Sequence, residues 1–171
     1  MFQNQSKRIL FCGPSGSGKT YIAKALRNHL ISKGYTAVLL DGDDVRNTIS
    51  SGLSFADNDI IENMKRIGDV TKLLQYYNNI DYVIASVICP IKEARMILTK
   101  YYGFSNAYFV NRPECYEIDS KGLYKSGRQR KFEPICESEG IKIIQNRLSD
   151  KLQLSESFFK QLLSCNHTDD K

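Results

Sequence analysis

Residues 13–20 read Gly-Pro-Ser-Gly-Ser-Gly-Lys-Thr, the complete pattern G-x-x-x-x-G-K-[ST], set between a short apolar run and a helical one. Nothing else in the chain restricts the fold as tightly. Gly13, Gly16 and Gly18 let the backbone curl until successive N–H groups point inward at phosphate oxygens, with the positive end of the next helix behind them. Ser15, Ser17 and Tyr21 belong to the same expected phosphate-binding set. Lys19 reaches the β- and γ-phosphates, and the Thr20 hydroxyl can ligate Mg²⁺. The pattern implies a nucleoside triphosphate site, with ATP and Mg²⁺ as the expected cofactors. Alone it does not separate a kinase from an ATPase or a GTPase.

The rest of the chain supplies the frame that such a loop requires. Residues 7–12 predict a buried strand running into the loop, and residues 19–33 a helix through Ile22, Ala25, Leu26 and Leu30, closed by Gly34. Residues 36–40 predict a second strand ending at Asp41, and residues 60–77 a long helix with Ile60, Met64, Ile67, Val70 and Leu74 on one face. Further strands are predicted at 82–88, 107–110 and 141–144, and helices at 93–99 and 156–163. Residues 119–140 lose periodicity and collect Gly, Lys and Arg, as a mobile lid would. Strands alternating with helices predict an α/β fold of the P-loop NTPase type, a three-layer α/β/α sandwich with a parallel central sheet. Function is then expected at the carboxyl ends of the strands, where residues 13–20, 41–46 and 86–92 all fall.

Composition narrows the class. The 171 residues, 42% hydrophobic and 25% charged, fit one domain spanning 1–171. The five cysteines are odd in number and form no C-x-x-C pair, and no signal peptide precedes them, which predicts free thiols in a reducing cytoplasm. No apolar run approaches the roughly 20 residues of a membrane span. The net charge of +5 gathers partly in Lys121, Lys125, Arg128, Arg130 and Lys131, one short segment rather than a basic stripe with stacking aromatics. Neither nucleic acid nor membrane is an expected partner. A GTPase is disfavoured because Asn-Lys-x-Asp is absent and the only Asp-x-x-Gly, Asp119 to Gly122, comes late and follows no strand. A motor or regulatory ATPase usually needs a longer chain, which leaves a small kinase.

The second strand runs into Leu40-Asp41-Gly42-Asp43-Asp44-Val45-Arg46. Two carboxylates one residue apart beside an arginine suit phosphoryl transfer. One positions Mg²⁺, the other accepts the proton of an attacking hydroxyl, and Arg46 neutralises an anionic acceptor. Asp41 is the expected metal-side carboxylate and Asp43 the acceptor-facing base. The competing reading is an acidic turn in which Asp43 or Asp44 caps a helix at Val45.

With Gly52-Leu53-Ser54-Phe55-Ala56-Asp57, Glu62-Asn63-Met64-Lys65-Arg66-Ile67, Ala85-Ser86-Val87-Ile88-Cys89-Pro90 and Asp119-Ser120-Lys121-Gly122-Leu123-Tyr124-Lys125, this turn resembles adenylyl-sulfate kinase from about residue 7 to about 146. The resemblance implies transfer of the γ-phosphoryl of ATP to the 3′-hydroxyl of adenosine 5′-phosphosulfate, a small nucleotide acceptor, by a cytoplasmic homodimer of the sulfate assimilation route. It implies that Asp41 and Asp43 are the acidic pair, that Arg46 grips the phosphosulfate, and that Phe55 packs on the acceptor base with Phe132 on its other face. Asn63, Lys121, Ile88 and Cys89 fall at acceptor-contacting or pocket-lining positions, and Lys121 is a catalytic lysine on a lid at 119–140.

The chain also departs from the family's pattern. Ile60 stands where an arginine is usual, Cys89 replaces a serine and Lys92 an arginine. Residues 113–121 are about two residues short and lack an Arg-Asp pair, and residues 132–137 abbreviate the lid. A second reading is therefore the same phosphoryl transfer to a hydroxyl of another nucleotide, such as a cytidine diphosphate intermediate of surface polysaccharide modification. A third, from another class, is a non-catalytic nucleotide sensor, against which the intact Lys19, Thr20, Asp41 and Asp43 argue.

Overall fold

The computed structural model describes residues 7–76, 79–103, 106–119, 122–127, 131–147 and 152–164. Five strands, β1 (Lys7–Cys12), β2 (Ala37–Asp41), β3 (Tyr82–Val87), β4 (Ala107–Asn111) and β5 (Lys142–Gln145), form one sheet in the order β2-β3-β1-β4-β5. Every pairing is parallel. Strands buried on both faces must be apolar throughout, and β3 is buried at all six positions.

Successive residues of a strand face opposite sides, so each buried strand feeds two cores. Leu10 and Cys12 of β1 join Ala85, Val87, Ala107 and Phe109 under α3 (Asp57–Gln75) and α4 (Lys92–Tyr102). Ile9 and Phe11 join Ile84, Tyr108 and Val110 under α1 (Lys19–Ser32) and α6 (Glu156–Ser164). The result is the expected three-layer α/β/α sandwich. No described helix is long and apolar enough to cross a membrane.

From β1 the chain leaves through α1 on one face, and from β3 through α4 on the other. The crevice between the carboxyl ends of these adjacent strands is thus a topological switch point, where α/β sheets place ligands. The short α2 (Gly42–Asn47) follows β2 directly and overhangs that crevice.

Four elements differ from the sequence expectation. The buried face of α3 runs through Ile60, Asn63, Met64, Ile67, Gly68 and Thr71, while Val70 and Leu74 are half-buried. Close approach of α4 causes the rotation. A Cβ at Gly68 would lie 2.5 Å from the Tyr101 ring, so only glycine admits the contact. Thr71 Oγ1 donates to Ile67 O at 2.8 Å and lies 2.6 Å from the Tyr102 hydroxyl, which leaves the tyrosine as donor. Secondly, α4 continues to Tyr102 because Leu98 and Tyr102 are fully buried, and it stops at Gly103 with φ 81°. Thirdly, residues 115–118 form a one-turn helix, α5 (Cys115–Ile118), and residues 137–139 a 3₁₀ turn, both too short for periodicity to reveal.

Candidate active site

The loop after β1 has the form its glycines predict. Gly18, at φ 94°, turns the chain into α1, and a Cβ there would come within 2.4 Å of Asn146 Nδ2. The Asn146 amide donates to Ser17 O at 2.7 Å, so the end of β5 braces the loop from behind. α1 carries no acidic residue in its first turn, which leaves its positive end available to an anion. Lys19 is 7% exposed and folds back to donate from Nζ to Pro14 O at 3.1 Å. Ser15 and Ser17 are buried, Tyr21 points outward and is mostly exposed, and the Ser15 N–H donates to the Tyr124 hydroxyl at 2.9 Å.

Thr20 Oγ1 lies 3.0 Å from Ser86 Oγ at the end of β3, and Ser86 is in register with Asp41 at the end of β2. The start of α1 and the ends of β3 and β2 thus bring Thr20, Ser86 and Asp41 into one row. Asp41, not Asp43 or Asp44, caps the following helix: its Oδ1 accepts from Asp43 N–H at 3.0 Å. The sequence reading set the cap later because it ended β2 one residue early. Asp41 Oδ2 is buried without a hydrogen-bond partner among the described residues. A shielded carboxylate oxygen in a cavity also lined by a threonine suits a hard cation that also binds phosphate oxygens. Thr20 and Asp41 therefore fit the Mg²⁺ that a triphosphate brings.

A cavity of about 1130 Å³ opens from this line. Gly16, Lys19, Thr20, Asp41 and Asp43 line it together with Arg46, Phe55, Ile60, Asn63 and Ile88. Asn63 is 2% exposed, and its Oδ1 has no partner among the described residues. Arg46 is turned toward its own loop, donating from Nη1 to Leu53 O at 3.3 Å and to Ser54 O at 2.8 Å. Its guanidinium also lies 4.5 Å from the centre of the Phe55 ring, which is half exposed. Among the lining residues that the sequence reading did not single out as ligand contacts are Met64, Ser86 and Leu123. Met64 and Ser86 carry a periodic or strand signal that reads as plain core.

Other expected site residues lie elsewhere. Phe132 packs edge-on against Phe109, with centroids 5.4 Å apart, at the margin of the core and outside the cavity lining. Cys89 is fully buried beneath the cavity. Burial pushes its thiol well above the ordinary value, and burial likewise pushes Cys12 up to about 12 against a smaller opposing effect of Arg95. Neither thiol is a nucleophile at neutral pH. Lys121 lies outside the described residues. Among the described residues no group of three or more His, Cys, Asp or Glu side chains could hold a metal unaided.

The family model described as adenylylsulphate kinase matches residues 5–141. An adenylyl-sulfate kinase of Bacillus licheniformis is 41% identical over 130 residues, 74% of this chain and 65% of that protein. A probable adenylyl-sulfate kinase of Bacillus subtilis is 34% identical over 178 residues, 95% of this chain and 89% of its own length. Among solved structures, the Mycobacterium tuberculosis APS kinase CysC in complex with AMPPNP and APS shares the fold. Its TM-score is 0.72 at 24% identity, covering 94% of this chain and 97% of that one. The first curated relatives are longer, and the chain spans 64–66% of their length. Sequence match, sheet order and loop geometry agree, and the chain belongs to the adenylylsulphate kinase family.

Proposed function

We propose that the protein is a Mg²⁺- and ATP-dependent kinase that transfers the γ-phosphoryl group to the 3′-hydroxyl of adenylyl sulfate. One observation carries the reading: Lys19 and Thr20 of the loop line, together with Asp41 and Asp43, a single cavity of about 1130 Å³, room enough for a second nucleotide. Lys19 supplies charge to the transferring group, and Thr20 with Asp41 holds the Mg²⁺ that neutralises the phosphates. Asp43 accepts the proton of the acceptor hydroxyl, and Phe55 and Asn63 receive the acceptor's base and polar edge. A relative named adenylyl-sulfate kinase at 41% identity supports the acceptor. We take residues 1–171 as one catalytic domain with a lid at 119–140, acting as a cytoplasmic homodimer. Light scattering at micromolar concentration tests the dimer.

Incubation with Mg·ATP and a panel of nucleotide acceptors, with ADP release as the signal, tests the activity. Rapid release with adenylyl sulfate alone supports the proposal, and release with no acceptor of the panel overturns it. One feature favours the second acceptor class. Ile60, 5% exposed, puts an apolar wall where adenylyl-sulfate kinases usually carry an arginine, which suits a cytidine diphosphate derivative with less charge at that point.

A further inference from the structure

One donor of the phosphate cradle is already engaged. The backbone N–H of Ser15 donates to the hydroxyl of Tyr124, 109 positions along the chain, at 2.9 Å. The tyrosine is held there from two sides. Its ring lies against Tyr116, with centroids 4.9 Å apart. Its backbone is wound around Asp119, whose buried carboxylate accepts from Tyr124 N–H at 3.2 Å and from Lys125 N–H at 2.9 Å. Gly122 N–H closes the turn on Asp119 O at 2.8 Å. Asp119 itself sits at φ 39°, a conformation that a non-glycine residue keeps only where its surroundings over-determine it. Burial raises the phenol's pKa, so the group at the loop is a neutral hydroxyl.

We infer that the Tyr124 hydroxyl occupies the place of a phosphate oxygen on Ser15 N–H, and that nucleotide phosphates bind by displacing it. The inference rests on the reading of residues 13–20 as a nucleotide site and adds to it a competitor built into the chain. The same turn carries Leu123, which lines the cavity shared by the phosphate loop and Arg46, Phe55 and Asn63. Displacing Tyr124 therefore moves a wall of the one cavity that would take both substrates, which links their binding through this turn. Such linkage is reciprocal: what the acceptor gains from ATP, ATP gains from the acceptor.

Calorimetric titration of wild-type and Tyr124→Phe protein, with the Mg²⁺ complex of a non-hydrolysable ATP analogue and separately with adenosine, tests the inference. Phenylalanine keeps the ring against Tyr116 and removes only the oxygen. The variant should bind the analogue roughly three- to tenfold more tightly, the worth of one neutral hydrogen bond, with adenosine affinity unchanged. Hydrogen exchange of the Ser15 amide in nucleotide-free protein should be faster in the variant. Asp119→Asn, which loosens the turn without altering the tyrosine, should shift analogue binding the same way and guards against misfolding of the first variant. Equal analogue affinity in variant and wild type overturns the inference, and weaker binding by Tyr124→Phe makes the hydroxyl a phosphate ligand instead. Failure of the wild-type protein to bind the analogue overturns the nucleotide reading and this inference together.

Discussion

The guanidinium of Arg95 grips the carboxylate of Glu139 with two donors, Nε to Oε2 at 2.6 Å and Nη2 to Oε1 at 3.0 Å, and neither side chain reaches solvent. Arg95 also donates to Pro90 O at 3.1 Å and to Pro134 O at 3.2 Å, and Cys136 N–H donates to Glu139 Oε1 at 3.0 Å. This one pair ties the corner after β3, which places Ile88 in the cavity wall, to the far end of the segment expected to act as a lid. Its partners are backbone groups of both segments, so its loss is felt at the site.

Breaking a buried pair strands the remaining charge. Arg95→Met or Glu139→Gln is expected to lower unfolding free energy by about 3–5 kcal/mol, while Arg95→Met/Glu139→Leu together recover much of the loss. Urea unfolding at pH 7 measures all three. For Glu139, burial raises the pKa but the Arg95 hydrogen bond and charge outweigh it, leaving it below the ordinary 4.5. Its contribution is therefore complete above that ordinary value and disappears as pH falls through the lower, folded one. A urea midpoint that stays flat in wild type from pH 7 to 3, yet falls in Glu139→Gln, would contradict this.

Lys19→Ala should abolish turnover while leaving the circular dichroism spectrum and urea midpoint nearly unchanged. The Lys19 ammonium contacts the loop's own Pro14 carbonyl rather than the apolar core, so its work is charge stabilisation of the transferring group. Activity within a few-fold of wild type would refute the assignment.

The two carboxylates after β2 should separate by role. Asp43→Asn is expected to lower kcat by on the order of 10²–10⁴, the range for a positioned acid–base group. Asp41→Asn keeps an oxygen to cap α2, since asparagine caps as well as aspartate, so the fold should persist. What it loses is the charge facing Thr20, and its deficit should appear as a higher Mg²⁺ requirement. If Asp41→Asn leaves the Mg²⁺ dependence untouched, the orphaned Oδ2 has another purpose.

How much of this was legible depended on distance along the chain. The loop at 13–20 declares itself because its glycines, lysine and threonine are contiguous and their chemistry is local. The parallel sheet followed from five apolar runs, and the crevice from where those runs end. The cap at Asp41 was misplaced by one residue of strand, a boundary that propensity does not define. Phe132 was expected over a base, yet Phe109, distant in sequence, takes up its ring. Tyr124 stood in a motif that was recognised, but its partner Ser15 lies across the fold. The rotated face of α3 depends on Tyr101 filling the space over Gly68, and periodicity within one helix cannot register a neighbour.

The acceptor pocket gives the last test. Ile60 packs with Val45 and Met64 and faces the cavity. The nearest cations on α3 do not replace the missing charge: Lys65 is exposed, and Arg66 pairs with Glu62 at 2.9 Å and donates to Ile49 O at 2.7 Å. Neither lines the cavity. Apart from Lys19 of the phosphate loop, Arg46 is the one cation among the described lining residues, and it must leave Leu53 O and Ser54 O to meet an acceptor anion. If adenylyl sulfate is the acceptor, Arg46 suffices, wild-type kcat/KM is already high, and Ile60→Arg raises it less than tenfold. A gain of tenfold or more, about 1.4 kcal/mol of transition-state stabilisation, would mean that the wild-type pocket lacks a charge this acceptor needs. That result would turn the assignment toward a nucleotide with less negative charge beside α3.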